Sequence, residues 1–243
     1  MNKTSPFWFL PVLLSVGVGV GAVRADAPRT SASGSYTVVE DGKPITPGSG
    51  RSKTEARPIG SFNAVRLEGA INVRVRRGDK PSAAVTIDDN LQNNIKLTVR
   101  NNTLIVSSVG SFSTKLTTLA DITVPSVQAV ELVGSGNITV EDPGTAWPTM
   151  RVALSGSGDI ALNKLAVDSL DVTLGGSGTV TAIGRANAFT FAIDGSGEVI
   201  APKLTAKRVK ASIDGSGDAS VFAKDAIDVS IGGSGSVNVA GKP

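Results

Sequence analysis

Short stretches in which apolar and polar residues alternate begin after the first quarter of this chain. Ile71, Val73 and Val75 form one such stretch, with polar residues between them. A period of two places one set of side chains on a buried face and the other in solvent, which is typical of β-strands. Similar stretches follow, separated by turn-forming pairs such as Asn101-Asn102. Antiparallel β-hairpins are therefore predicted before residue 125.

A second pattern repeats in the C-terminal half, where the tripeptide Gly-Ser-Gly recurs at intervals of 18 to 22 residues with an apolar-x-apolar pair nearby. The copies are Gly134-Ser135-Gly136, Gly156-Ser157-Gly158, Gly176-Ser177-Gly178, Gly195-Ser196-Gly197, Gly215-Ser216-Gly217 and Gly233-Ser234-Gly235. A period near twenty residues is typical of a solenoid coil, whereas a propeller blade needs about forty. The predicted fold class is all-β: a β-solenoid, similar to a single-stranded β-helix, of about six coils preceded by antiparallel hairpins.

The tripeptide is interpreted as a structural corner. Glycine reaches positive φ without steric cost, as a tight corner between two strands requires. Stacked coils place the serines in a ladder along one edge, where their hydroxyls are expected to bond to neighbouring backbone and to one another. The chain contains no histidine and no cysteine. Its composition therefore excludes Ser-His triads, thiol catalysis, disulfides and Cys/His zinc sites.

The N-terminus has the pattern of an export signal. Lys3 gives it a positive charge, an apolar run follows, and Val23-Arg24-Ala25 offers small residues at the two positions that a signal peptidase reads. Residues 1–25 are predicted to be a signal peptide, cleaved between Ala25 and Asp26. The alternative is a retained membrane anchor, for which the apolar run is at the short limit. No later stretch has the length and apolarity of a membrane-spanning helix, so a periplasmic, outer-surface or extracellular location is expected.

The rest of the chain divides at residue 57. Residues 26–56 contain three prolines and mixed charge with little apolar periodicity, which predicts a flexible linker. Residues 57–243 are predicted to form the folded domain. The formal net charge is only +3, and Arg74, Arg76 and Arg77 make the one tight basic cluster. Nucleic acid is not an expected partner, because tracking a phosphate backbone requires a broad basic surface.

Three segments of the folded part, together with the repeated corners, resemble a known bacterial family. They are residues 57–65 (RPIGSFNAV), 88–91 (DDNL) and 102–106 (NTLIV), and each corner is followed by x-Ile or x-Val in most coils. These features are similar to the head GIN domain, whose family name describes the head of an auto-transporter adhesin. The resemblance spans residues 57–240. It implies an exported or envelope-located domain similar to a β-solenoid, and it brings no known binding residues.

The strongest case for catalysis is the acidic pair Asp194 and Asp214, which precede the corners of consecutive coils. Stacking would place the two residues about 5 Å apart, the carboxylate separation of retaining glycosidases. Other coils have Ser155, Gly175 and Gly232 at this position, as expected of a freely varying solvated corner. A carbohydrate-active enzyme, either a glycoside hydrolase or a lyase, is therefore kept as the alternative to a module without catalytic activity.

No cofactor or metal is predicted. The position three residues after the first glycine of each corner reads Asn, Asp, Thr, Glu, Asp and Ser, which varies too much for a calcium cage. The predicted function is that of a non-enzymatic β-solenoid for binding, adhesion or scaffolding at the cell envelope, with an envelope glycan or protein as its partner. The last coil, with Val237 and Val239, has no evident cap. Its edge is expected to pair with a second copy.

Overall fold

The computed structural model describes residues 39–40, 43–144 and 148–243. The chain divides into two compact units, Met1–Ile45 and Thr46–Pro243. In the first unit, β1 (Val39–Glu40) pairs with β2 (Lys43–Pro44) in antiparallel fashion. The predicted signal peptide and its cleavage site lie outside the described residues. Among the described residues, no helix has the length and apolarity needed to cross a membrane.

The second unit is built almost entirely of β-strands. In chain order they are β3 (Thr46–Pro47), β4 (Ser52–Arg57), β5 (Ala64–Gly69), β6 (Asn72–Arg77), β7 (Ser82–Asp88), β8 (Ile95–Arg100), β9 (Thr103–Ser108), β10 (Phe112–Ser113), β11 (Leu119–Val124), β12 (Ala129–Gly134), β13 (Asn137–Val140), β14 (Thr149–Gly156), β15 (Asp159–Gly176), β16 (Thr179–Gly195), β17 (Glu198–Gly215), β18 (Asp218–Gly233) and β19 (Ser236–Gly241). A 3₁₀ helix, Asp89–Asn94, lies between β7 and β8.

The strands from β14 onward form the predicted solenoid of parallel coils. β15 pairs in parallel with β14 and β16, and the same arrangement continues through β17 and β18 to β19. Each coil has three faces. The first face runs into a Gly-Ser-Gly corner, the second follows that corner, and a bend with a register shift separates the second from the third. The fold class predicted from the repeat is therefore confirmed.

The core is a narrow column of apolar side chains inside the coils. Leu154, Leu174 and Ile193 occupy the same position in consecutive coils and are Cα neighbours across the sheet. All three are buried. Burying one such side chain contributes about 1.5–3 kcal/mol, but a single coil cannot bury its own apolar face. Stability therefore depends on each coil being covered by the next.

The structure also contains an earlier coil, whose corner does not have the Gly-Ser-Gly sequence. β5 and β6 pair in parallel with β12 and β13, and Gly69 is aligned with Gly134. The corner of this coil is Gly69-Ala70-Ile71 in place of Gly-Ser-Gly. Ile71 is buried there. The side chain has room because the neighbouring layer on the other side of the coil consists of β9 and β11, which are not a further coil with its own corner.

The predicted antiparallel strands cover this first coil and do not simply precede the repeats. β8 and β9 form a hairpin around Asn101 and Asn102, whose φ values of 47° and 60° are those of a tight hairpin turn. β9 then pairs in parallel with β5. On the neighbouring face, β7 pairs in antiparallel fashion with both β4 and β11, and β11 pairs in parallel with β6. Together these strands cover one end of the stack.

The linker predicted over residues 26–56 is wrong in its last part. β3 pairs with β10, and β4 pairs with β7 over residues 52–57. β4 lies at the edge of the sheet, and most of its side chains are exposed on both faces. A strand that buries neither face has no apolar alternation. Its hydrogen bonds are therefore invisible in the sequence pattern.

The Asp88 side chain fixes the loop that precedes β4. Asp88 is only 1% exposed, and its Oδ1 accepts a hydrogen bond of 2.6 Å from the backbone N–H of Gly50. The hydroxyl of Thr114 donates to the other carboxylate oxygen. That hydroxyl, and then the Gly50 N–H, hold the pKa of Asp88 below its ordinary value despite burial. The ionised form is therefore the one that stabilises this junction.

Replacing Asp88 by asparagine is expected to lower the thermal midpoint by several degrees at pH 7, and by progressively less as the pH falls toward 2. The pKa of Asp88 is lowered in the folded protein, so its charge stabilises the fold above the unfolded pKa of about 3.9. That contribution is lost as the pH falls through the lowered pKa. Thermal melts between pH 2 and pH 7 give the difference in midpoint between the unmodified protein and the variant. The other acidic residues are the same in both proteins, so their effects cancel in this difference. A difference that stayed constant with pH would contradict the role of the charge.

Candidate functional site

The Gly-Ser-Gly corners are positions where backbone meets backbone. Gly156 has a φ of 130°, and a Cβ atom there would lie 2.2 Å from the carbonyl oxygen of Gly134 in the neighbouring coil. A Cβ atom on Gly158 would lie 2.0 Å from the carbonyl oxygen of Gly136. The first glycine is thus required by conformation and by contact, and the second by contact. Both are structural positions.

The serines of the corners stack as predicted, but through their backbone. The N–H of Ser177 donates to the carbonyl oxygen of Gly156 at 3.0 Å, and that of Ser196 donates to Gly176 at 3.0 Å. The side chains are exposed. Across the described residues, the hydrogen bonds include none made by the hydroxyls of the six corner serines. The expected hydroxyl ladder is therefore replaced by a ladder of peptide groups.

Asp194 and Asp214 are brought together in the way that the repeat predicts. They are Cα neighbours in adjacent coils, as are Glu198 and Asp218 on the other side of the same corners. All four side chains are exposed, on a convex corner that lines none of the described grooves. In the described part of the chain, no group of three His, Cys, Asp or Glu side chains is placed to hold a metal ion. The geometry thus provides paired acids that are open to solvent.

In the structure, two arginines of the basic cluster form ion pairs with an acidic residue. Arg74 and Arg76 lie on the outward face of β6, and both donate to Asp121 of the neighbouring strand β11. The Nε of Arg76 lies 3.0 Å from Oδ1 of Asp121. The Nε of Arg74 also lies 4.0 Å from a carboxylate oxygen of Glu141, so two carboxylates face these two cations and leave little free positive charge for a ligand. This cluster stabilises the packing of the hairpins on the first coil.

A groove of about 550 Å³ lies along the third face and the corner that follows it. Its lining residues are Pro148, Ala166, Val167, Asp168, Arg185, Ala186, Asn187, Thr205, Lys207 and Lys224. Lys207 and Lys224 follow Ala206 and Ala223, which are aligned in adjacent coils. The lysines therefore occupy equivalent corner positions. Arg185 joins them from the preceding coil, so three consecutive coils each contribute one cation.

The cations of this groove are available to a ligand. Asp168 is the acidic residue that lines it, and its Oδ1 accepts a hydrogen bond of 2.8 Å from the amide of Asn187. Arg185, Lys207 and Lys224 are exposed, and none forms an ion pair with a carboxylate of the residues described. Adjacent coils are about 4.8 Å apart. The groove thus presents three cations, one from each of three consecutive coils, beside small apolar side chains and the polar Asn187 and Thr205.

Adjacent basic residues in the sequence do not indicate this groove, because its cations are 17 to 22 positions apart. A search for cations at intervals of one coil would have found them. The bend after the second face varies in length between coils, so the spacing is not constant. The sequence therefore does not predict the groove, whereas it does predict the acidic pair beside the corners.

A family model described as "Putative auto-transporter adhesin, head GIN domain" matches residues 61–243. None of the curated proteins matches the chain. The match covers three quarters of the sequence and includes every Gly-Ser-Gly corner.

Several solved structures have the same fold. A protein described as a putative adhesin from Bacteroides fragilis superposes with a TM-score of 0.72 at 22% identity, covering 80% of this chain and 99% of its own. A protein described as a putative lipid binding protein from Parabacteroides distasonis gives 0.65 at 24% identity, covering 81% and 99%. A putative adhesin from Parabacteroides merdae gives 0.61 at 21% identity, with coverage of 81% and 99%. At these identities the likeness establishes the fold.

Proposed function

The chain belongs to the head GIN domain family of adhesin-like proteins, and from that premise we propose that it is a non-enzymatic adhesion module that binds an anionic polysaccharide of the cell envelope. The observation that carries the proposal is the groove in which Arg185, Lys207 and Lys224 line up along three coils without a carboxylate partner in the described part of the chain. The proposed location is the periplasm or the outer surface.

A linear polymer suits this groove better than a compact ligand. The three cations are spread along the solenoid axis, so a ligand must carry repeated negative charges to meet all of them. Each exposed ion pair contributes about 0.2–1 kcal/mol, which is weak individually and useful when several act together. Asn187 and Thr205 can exchange hydrogen bonds with sugar hydroxyls between the charges. Such contacts favour many weak attachments along one chain.

The proposal is non-enzymatic because the acidic pair and the groove are separate surfaces. Asp194 and Asp214 flank a Gly-Ser-Gly corner, whereas the groove follows the third face. Both carboxylates are exposed, so neither lies where a substrate would be held away from water. Aromatic residues, on which neutral sugar rings stack, make up only 4% of the chain. Charge is therefore the main basis of the proposed recognition.

The triple variant Arg185→Gln, Lys207→Gln, Lys224→Gln is expected to bind a sulphated dextran about tenfold more weakly than the unmodified protein. It loses three exposed cations from the groove, and the interaction that remains should depend less steeply on salt. Binding is measured by calorimetry or interferometry at two salt concentrations. Neutral dextran serves as the uncharged reference ligand.

A matched variant separates the groove from net charge. Lys80, Lys96 and Arg100 are exposed cations on the hairpin strands and their turns, away from the groove. Changing these three residues to glutamine removes the same charge and should leave most of the affinity. If both triple variants lost the same affinity, binding would depend on net charge and not on the groove. If the unmodified protein bound neither sulphated nor carboxylated polysaccharides, the proposal would be rejected.

A further inference from the structure

The last coil leaves its core side chains open at one edge. Val229 and Ile231 are 39% and 42% exposed, although both point inward as their neighbours one coil earlier do. Those neighbours, Ala211 and Ile213, are buried at 2% and 1%. Within the described part of the chain, β19 and the first-face portion of β18 have a strand partner on one side only. An apolar strand edge of this kind is open to pairing with another chain.

The two ends of the stack differ in a way that limits how copies can meet. The far end is covered by the hairpin strands and has two edge strands. β8, on the same face as residues 226–233, carries Lys96 and Arg100, and β4 carries Lys53, Glu55 and Arg57. Charged edge strands resist pairing. Head-to-tail stacking, in which the last coil of one copy meets the first coil of the next, is therefore disfavoured. The exposed last coil can meet only the same end of a second copy.

We propose that two copies pair through this edge around a two-fold axis. Residues 226–232 of one copy run antiparallel to the same residues of the other, with Val229 opposite Val229. An antiparallel pair uses the same edge of both strands, so a single edge is sufficient and both copies contribute identical contacts. The inward side chains of the two last coils then cover each other and close the apolar column.

The side chains favour this register over its neighbours. With Val229 on the axis, Ile227 lies opposite Ile231, and Asp228 lies opposite Ser230. A shift of one residue would place apolar side chains opposite polar ones on the wrong face. A shift of two residues in one direction would place Asp228 opposite its own copy, which is unfavourable, and in the other would lose the two Ile227–Ile231 pairs.

Charge complementarity supports the same two-fold arrangement. Residues 226–233 run from a corner where Lys207, Arg208 and Lys224 outnumber Asp225 to an acidic corner beside Asp214 and Asp218. Antiparallel pairing therefore sets the acidic corner of each copy against the basic corner of the other. A parallel approach of the same two edges would bring like charges together. The interface is expected to weaken as salt concentration rises.

Sedimentation velocity over a range of concentrations tests the pairing. The unmodified protein is expected to shift from monomer to dimer, whereas the variant Val229→Lys is expected to remain a monomer with an unchanged circular dichroism spectrum. Its lysine can extend from the exposed edge into solvent without entering the core. A concentration-independent monomer for the unmodified protein would overturn the proposal. A dimer that persisted in Val229→Lys would also overturn it.

A cysteine pair tests the register without disturbing the fold. The chain has no cysteine, so Val229→Cys introduces a single thiol that would face its copy across the axis. Directly opposed Cα atoms are about 4.5–5.5 Å apart, which a disulfide can bridge. In Ser230→Cys the two Cα atoms would be about 8 Å apart, beyond bridging distance. Oxidation should link only the first variant into dimers; linkage of the second alone, or of neither, would reject this register.

Discussion

Replacing Gly158 by alanine is expected to destabilise the protein by about 3 kcal/mol or more. The new Cβ atom would lie 2.0 Å from the carbonyl oxygen of Gly136 and 2.7 Å from Cδ2 of Leu132. The first contact is with backbone, so a side-chain rotation cannot relieve it. Relief requires the two coils to separate at the corner, which strains the hydrogen bond of 3.3 Å from Asp159 N–H to the Gly136 carbonyl oxygen. Urea unfolding followed by circular dichroism measures the loss.

Gly175 provides the matched control for this substitution. It lies in the next coil, immediately before the corner, and the nearest atom to a Cβ there is 3.9 Å away. The change Gly175→Ala is expected to alter the free energy of unfolding by less than about 0.5 kcal/mol. Similar losses in the two variants would mean that general glycine content, and not close approach between coils, determines stability.

Phe191→Ala is expected to cost about 3–5 kcal/mol, the usual range for emptying a buried aromatic site. Phe191 is 1% exposed, and its ring centroid lies 5.2 Å from that of Phe189 in the same strand, β16. The column inside the coils is narrow, and backbone on each face prevents it from collapsing around a cavity. The midpoint and slope of urea unfolding give the change in stability.

Phe191→Leu keeps most of the buried volume and serves as the comparison. It should lose less than half as much stability as the alanine variant, because the cavity left is smaller. A third variant, Thr190→Ala, changes the neighbouring outward side chain and should be close to neutral. If Phe191→Ala were as mild as Thr190→Ala, the column would not be the tightly packed core that the burial of its side chains implies.

The sequence predicts the corners well because two independent constraints fall on the same residues. Each corner requires glycine for backbone reasons, and each is flanked by apolar pairs that fill the column. The first coil has the apolar pair, but it meets the glycine constraint only at Gly69, whose φ is 126°, because Ile71 stands at the third corner position. Val65 and Leu67 precede Gly69 by four and two positions, as Val152 and Leu154 precede Gly156. A search for the apolar frame, rather than for the tripeptide, would have found it.

The segments that reveal the family act mainly in folding. Arg57 donates to the backbone and side-chain oxygens of Gln92, and Gln92 in turn donates to the carbonyl oxygen of Lys53. Asp88 fixes the loop before β4, and Asn102 supplies a positive φ at a hairpin turn. Residues that determine the fold carry no information about a ligand. The resemblance therefore predicts architecture and leaves the groove to be found from the structure.

The groove depends on which residues of different coils become neighbours when the coils stack, and the order of residues in the sequence does not show this. Lys207 and Lys224 become neighbours only when the bend after the second face has absorbed the difference in coil length. Arg185 reaches the same surface from the middle of its own third face. The acidic pair Asp194 and Asp214 lies beside a corner of fixed spacing, and so its stacking follows directly from the repeat.

The stacking of coils also determines how the molecule responds to tension. The hydrogen bonds between coils run along the solenoid axis, on all three faces at once. A pull along that axis loads the bonds of a whole layer together, so none breaks until many yield. A pull that drags β19 sideways from β18 loads its bonds one after another. An attachment held by the groove cations of β16, β17 and β18 would therefore transmit axial force through intact layers, while the last strand, β19, would separate at much lower force.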